Sequence, residues 1–76
     1  MPTTPLAFTN VAIECDISKE SESTDFLAVL RQEGFDQGTV TVKLPKVFIE
    51  GRFPGSLTDC EKRCRQLNNT CRVSPG

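Results

Sequence analysis

The chain has 76 residues, enough for one small domain with a thin core. Nine Lys and Arg residues against ten Asp and Glu residues give a net charge of −1, which disfavours a dedicated nucleic-acid binder. The absence of His excludes His-containing catalytic triads and His-ligated metal sites, and no apolar run approaches the ~20 residues of a membrane-spanning helix.

The N-terminal part of the chain predicts an arm, a strand and a polar connection. Residues 1–9 show no periodic pattern and are expected to form a flexible arm. Alternating Val, Ile and Cys side chains predict a short strand over residues 10–15. Residues 16–23 are rich in Ser and Glu, which is typical of a solvated connection.

A helix is predicted to follow, with signals at both ends. Ser23 is the expected N-cap, and Phe26 and Leu30 lie on one face at helical spacing. Gly34 stands where a C′ residue enters the left-handed region in a Schellman motif. In that motif Phe35 contacts Leu30, so the sequence predicts the end of this helix in detail.

Strand signals fill the middle of the chain. Alternating Val and Thr residues after Gly38 predict a strand that Pro45 interrupts. Residues 46–49 predict an apolar strand, residues 50–51 (Glu-Gly) a tight turn, and residues 52–53 the returning strand.

A second helix is predicted after these strands, with Ser56 as its N-cap. Its apolar stripe consists of Leu57, Cys60, Cys64 and Leu67. Residues 70–76 are expected to be a short tail. Together the elements predict a single α+β domain over residues 10–69, in the order β-α-β-β-β-α, with both helices packed on one small sheet.

The four cysteines leave two interpretations open. Cys15, Cys60 and Cys64 fall on apolar faces and fit buried core thiols, whereas an even number of Cys in a short chain, here completed by Cys71, is typical of a disulfide-bonded secreted domain. Cys60 and Cys64 lie one helical turn apart, where a bond between them is disfavoured. Free thiols would indicate the cytoplasm and disulfides would indicate secretion. The spacing fits neither a zinc knuckle nor a C-x-x-C redox centre, so no metal site is expected.

The segment from Leu44 to Ser56, L-P-K-V-F-I-E-G-R-F-P-G-S, resembles the glutaredoxin segment T-V-P-x-V-F-I-x-G-x-x-I-G-G. The resemblance implies the later two-thirds of that family's fold, a truncated thioredoxin/glutaredoxin-like domain. By this resemblance Pro45 takes the place of the family's cis-proline. Gly55, Ser56 and Asp59 then stand near the turn that contacts glutathione, which makes glutathione a candidate ligand.

The family's catalytic motif, C-P-x-C or C-G-F-S, has no counterpart upstream of Val11. The resemblance therefore implies a non-catalytic module that binds a protein partner or a thiol peptide through the Pro45 region. The absence of His and of C-x-x-C also favours binding over enzymatic activity, and no catalytic residue is assigned.

Two further hypotheses share the same predicted architecture. Residues 11–16, V-A-I-E-C-D, resemble the first strand of the smallest core subunit of transcription factor TFIIH, which works by pairing with another subunit. The second hypothesis is therefore an interaction subunit that pairs with a protein partner, or with a second copy, through an exposed strand. The third is a secreted, disulfide-stapled toxin or effector, suggested by chain length and cysteine number.

Overall fold

The computed structural model describes residues 7–76, which form two helices and one four-stranded sheet. The elements in chain order are β1 (Phe8–Asp16), α1 (Glu20–Gln32), β2 (Asp36–Lys43), β3 (Lys46–Pro54), α2 (Leu57–Leu67) and β4 (Cys71–Pro75). All neighbouring strands are antiparallel, in the order β2-β3-β1-β4. The α+β class is confirmed, and the β-α-β-β-α-β connectivity is the split β-α-β (ferredoxin-like) arrangement.

Both helices cover the same face of the sheet, where the core lies. The core side chains of the two central strands come from alternate positions, so they point to one face. The buried apolar residues are Val11, Ile13, Cys15, Ile17, Phe26, Leu30, Phe35, Val47, Ile49, Phe53, Cys60, Cys64 and Cys71. The opposite face of the sheet has no helix or strand packed on it within residues 7–76.

The predicted turn at residues 50–51 is wrong, because β3 runs without interruption from Lys46 to Pro54. Gly51 lies inside this strand, opposite Val11 on one side and Gln37 on the other. A Cβ atom at Gly51 would lie too close to the carbonyl oxygen of Asp36, at 2.1 Å. Glycine is therefore needed here because β2 approaches closely next to its bulge, and not because the chain turns.

The predicted C-terminal tail is also wrong, because residues 71–75 form β4. This strand pairs with β1, from Cys71 opposite Cys15 to Pro75 opposite Val11. At the other end of the chain, Phe8 and Thr9 belong to β1 instead of the predicted arm. Residues 1–6 of that arm lie outside the described residues.

The start of α1 differs from the prediction. The helix begins at Glu20, so Ser23 is not its N-cap. The Glu22 carboxylate accepts hydrogen bonds from the backbone N–H groups of Ser18 (3.0 Å) and Lys19 (3.4 Å). The start of the helix is therefore capped about one turn before the predicted position at Ser23. Ser23 is instead buried inside the helix, and its hydroxyl donates to the Glu20 carbonyl.

The end of α1 confirms the predicted Schellman motif. Gly34 has a φ of +90°. The Phe35 N–H donates to the Leu30 carbonyl and the Gly34 N–H donates to the Arg31 carbonyl, both at 3.0 Å. Leu30 and Phe35 are both buried in the core. The motif therefore anchors the end of α1 in the core immediately before β2 begins at Asp36.

The second helix also begins as predicted. The Ser56 hydroxyl accepts a hydrogen bond from the Asp59 N–H at 3.2 Å, which is the N-cap interaction. Cys60 and Cys64 are buried, while Leu57 is half-buried and Leu67 is exposed at the end of the helix. The two central residues of the predicted apolar stripe therefore lie in the core, whereas the leucines at its two ends are only partly covered or exposed.

Replacing Gly51 by Ala is expected to lower the free energy of unfolding by about 1–3 kcal/mol, because the added methyl group collides with the β2 backbone. The measurement is urea-induced unfolding followed by circular dichroism. Gly38→Ala is the matched control, since a Cβ there has its nearest neighbour at 3.3 Å and the loss should be smaller. Equal losses in the two variants would contradict the close approach at Gly51.

Candidate functional site

A disulfide between Cys15 and Cys71 joins β1 to β4. The two residues are directly opposite in the strand register, with their Cα atoms 4.1 Å apart, and both are buried. The bond closes a loop between positions 56 residues apart. Its effect is to hold β4 against β1, so this edge of the sheet is covalently fixed.

Cys60 and Cys64 are free thiols in the same core, which matches the core-thiol interpretation for these two residues, whereas Cys15 is disulfide-bonded and is not a core thiol. Their sulfur atoms are 4.0 Å apart. A hydrogen bond with Cys60 and burial both raise the pKa of the Cys64 thiol above its ordinary value, so this group stays protonated at neutral pH. Among residues 7–76, no three His, Cys, Asp or Glu side chains are grouped so as to hold a metal ion.

The four positions that the glutaredoxin resemblance implied do not form one site. Pro45, whose peptide bond with Leu44 is cis, lies in the turn between β2 and β3, and Gly55, Ser56 and Asp59 follow the other end of β3. The nine residues of this strand separate the two groups by about 30 Å.

These positions also use their polar groups within the fold. The Pro45 carbonyl accepts a hydrogen bond from the Ile17 N–H, and the Gly55 N–H donates to the Ala7 carbonyl. Ser56 and Asp59 form the cap of α2. Each of the four therefore has a local structural role.

The outer edge of β2 is the least protected part of the described sheet. Residues 39–43, here called the β2 edge, lie between the bulge at residues 37–39 and the turn at residues 44–45. They pair with β3 on their inner side, and no strand among residues 7–76 lies on their outer side. Their sequence, T-V-T-V-K, contains no Pro and a single charge, so the terminal Lys and the neighbouring bulge are the features that oppose pairing at this edge.

Apolar side chains surround the β2 edge on both faces. Val40 and Val42 point to the helix-covered face but remain 37% and 38% exposed. Phe48 of β3, opposite Thr41, lies on the open face and is 39% exposed, and Leu44 in the turn is 50% exposed. These four residues account for most of the exposed large apolar side chains in the described part of the chain.

The position of α1 explains why the two valines are not covered. The helix is attached to the start of β2 through Gln37, whose amide donates to the Leu27 carbonyl at 2.9 Å and accepts from Arg31 at 3.3 Å. Val40 and Val42 follow this attachment along the strand and keep more than a third of their surface in solvent.

Two ion pairs lie on the open face of the sheet. Lys46 donates to Glu14 at 2.8 Å, and this hydrogen bond raises the pKa of Lys46 and lowers that of Glu14. Arg52 forms an ion pair with Asp36 at 2.9 Å and lies over the Phe8 ring, 5.7 Å from its centroid. These pairs involve exposed groups and contribute little stability.

The backbone groups of the β2 edge alternate in direction. Lys43 and Lys46 close a two-residue turn and are a hydrogen-bonded pair, so the next pairs alternate between bonded and non-bonded. Val40 and Val42 then direct their N–H and C=O groups away from β3. The sequence predicted the alternation of Val and Thr, but it contained no signal that this strand lies at the edge.

Comparison with known proteins identifies no relative of this chain. No protein family, curated protein or solved structure matches it. None of the helices in residues 7–76 is both long and apolar enough to span a membrane. The glutaredoxin and TFIIH resemblances stay predictions, and the β2 edge is the candidate site within the described residues.

Alkylation should count the thiols in three steps. We expect no labelling of the folded protein, because Cys60 and Cys64 are buried, two labels in denaturant, and four after reduction. Mass spectrometry gives the number of alkyl labels per protein molecule at each step. Four labels in denaturant without reductant would contradict the Cys15–Cys71 bond.

A double variant, Cys15→Ser with Cys71→Ser, should lose about 4 kcal/mol of unfolding free energy, the value expected for a loop of this length. Urea unfolding measures the loss, with the reduced wild-type protein as the matched comparison. An unchanged unfolding midpoint would show that the bond does not stabilise the fold.

Hydrogen exchange of backbone amides in dilute solution should alternate along the β2 edge. We expect fast exchange at Val40 and Val42, which face outward, and slow exchange at Thr41 and Lys43, which bond to β3. NMR resolves the four amides individually. Equal protection of all four in dilute protein would contradict the assigned direction of the backbone groups.

Proposed function

We propose that this chain is a non-catalytic interaction module that binds another polypeptide by strand addition along the β2 edge. The observation that carries the proposal is the row of backbone groups at Val40 and Val42, which has no partner strand among residues 7–76 and lies next to exposed apolar side chains. An added strand satisfies such groups and removes the apolar surface from water.

The side chains along the β2 edge indicate which residues a partner strand would carry. Its side chains would alternate between the two faces of the sheet. Those beside Val40 and Val42 face an apolar surface, and those beside Thr41 face a hydroxyl and the Phe48 ring. An extended segment of alternating apolar and small polar residues, about five residues long, fits this surface.

The cysteines support binding without thiol chemistry. Both free thiols are buried in the core, so neither is positioned to exchange with a thiol peptide. The Cys15–Cys71 bond supports a place in an oxidising compartment, as the secreted-protein hypothesis expects. Strand addition at the β2 edge is compatible with that location.

A selection of random extended peptides displayed on phage, with the folded protein as bait, tests the proposal. We expect selected peptides to alternate apolar and polar residues and to slow the exchange of the Val40 and Val42 amides when bound. Substituting Val40→Lys and Val42→Lys together should weaken peptide binding at least about tenfold, which corresponds to about 1.4 kcal/mol of binding free energy. The reason is that both apolar contacts are lost.

Leu67→Lys is the control for an added surface charge, since it places one lysine, against two in the test variant, on another exposed apolar position at the end of α2. It should leave peptide binding unchanged. Selected peptides that protect other amides, or a failure to select any binder, would overturn strand addition at the β2 edge.

A further inference from the structure

The pairing segment of β2 is nearly palindromic about Thr41. Between the bulge and the turn its sequence is T-V-T-V-K, with a valine on each side of the central threonine. We infer that the β2 edge pairs with the β2 edge of a second copy, antiparallel about a twofold axis at Thr41. This inference rests on the proposed function and names the partner that the edge fits best.

One register uses all five residues of the segment. With the axis at Thr41, Val40 faces Val42 of the second copy and Thr39 faces its Lys43. Since Val40 and Val42 direct their backbone groups outward, each Val40–Val42 pair exchanges two hydrogen bonds. A shift of the axis to Val40 brings the bulge of β2 into the pairing, and a shift to Val42 brings in the turn. A shift by one residue points the valines to the wrong face.

The side chains also match in this register. On the helix-covered face, the two copies form a continuous row of four valines, which are more than a third exposed in the single chain. On the open face Thr41 meets Thr41, with a Phe48 ring beyond each of them. Paired β-branched residues of this kind stabilise neighbouring strands.

Charges favour the same arrangement. In the single chain Lys43 lies opposite Lys46, a like-charged neighbour. In the pair, Lys43 lies opposite Thr39 of the second copy, and the next residue across that sheet is Glu50. The long Lys43 side chain extends over the short threonine toward this carboxylate, and no like charges face each other across the new interface. Self-pairing therefore offers Lys43 an opposite charge.

The interface is small, so the expected dimer is weak. Five paired residues from each copy bury less area than the interfaces of permanent complexes. We expect a reversible dimer with a dissociation constant in the range of roughly micromolar to millimolar. The pairing would join two four-stranded sheets into one continuous sheet.

Site-specific crosslinking tests the register. Thr41→Cys places two cysteines face to face on the axis, at a non-hydrogen-bonded pair whose spacing suits a disulfide. Thr39→Cys is the matched control, because Thr39 is also exposed and on the same face but lies off the axis. Under mild oxidation we expect the Thr41→Cys variant to form a covalent dimer and the Thr39→Cys variant to stay monomeric.

Sedimentation equilibrium supplies a measurement without added cysteines. We expect a monomer–dimer equilibrium for the wild-type protein and for Leu67→Lys, and a monomer for the Val40→Lys, Val42→Lys double variant. Absence of crosslinking at Thr41, equal crosslinking at Thr39, or a wild-type monomer at millimolar concentration would overturn self-pairing. If selected peptides still bind the β2 edge in that case, the proposed function stands and only its self-partner is rejected. If they do not, both fail.

Discussion

The antiparallel pairing of β1 with β3 is the interaction on which the rest of this structure depends. It extends along the whole of β1, from Phe8 opposite Pro54 to Asp16 opposite Lys46. The pairing places alternate apolar side chains of both strands on one face, where the two helices bury them. Because β1 and β3 occupy the centre of the described sheet, β2 and β4 become its edges.

The two edge strands, β2 and β4, differ in the features that protect them from pairing with another strand. Strand β4 is short, contains Pro75 and Arg72, and is bonded covalently to β1 through Cys71. Strand β2 is longer, and residues 39–43 contain neither Pro nor an acidic residue. Natural proteins use short strands, Pro and charge to prevent unwanted edge pairing. This difference in protection is the reason that the proposed interaction surface is placed at β2 and not at β4.

The four cysteine side chains all lie in the core of the domain. All four cysteines are buried, two as a disulfide that fixes an edge strand and two as thiols that fill the helix–sheet interface. A buried thiol with a raised pKa, as at Cys64, is a poor nucleophile. All four cysteine side chains are therefore buried away from the proposed interaction surface, which consists of backbone groups and apolar side chains.

Local signals in the sequence determined the helix cap at Ser56, the Schellman ending at Gly34, the strand at residues 10–15 and the burial of three of the cysteines (Cys15, Cys60 and Cys64), because each depends on neighbours a few residues away. The continuity of β3 through Gly51 depends on the approach of the Asp36 backbone from another strand, so the sequence alone read this glycine as a turn. Likewise, only the tertiary structure decided that residues 71–75 form a strand, that Cys15 bonds to Cys71, and that β2 lies at the edge. Those outcomes depend on which distant segments are neighbours in the sheet, and the spacing of residues along the chain does not encode that order.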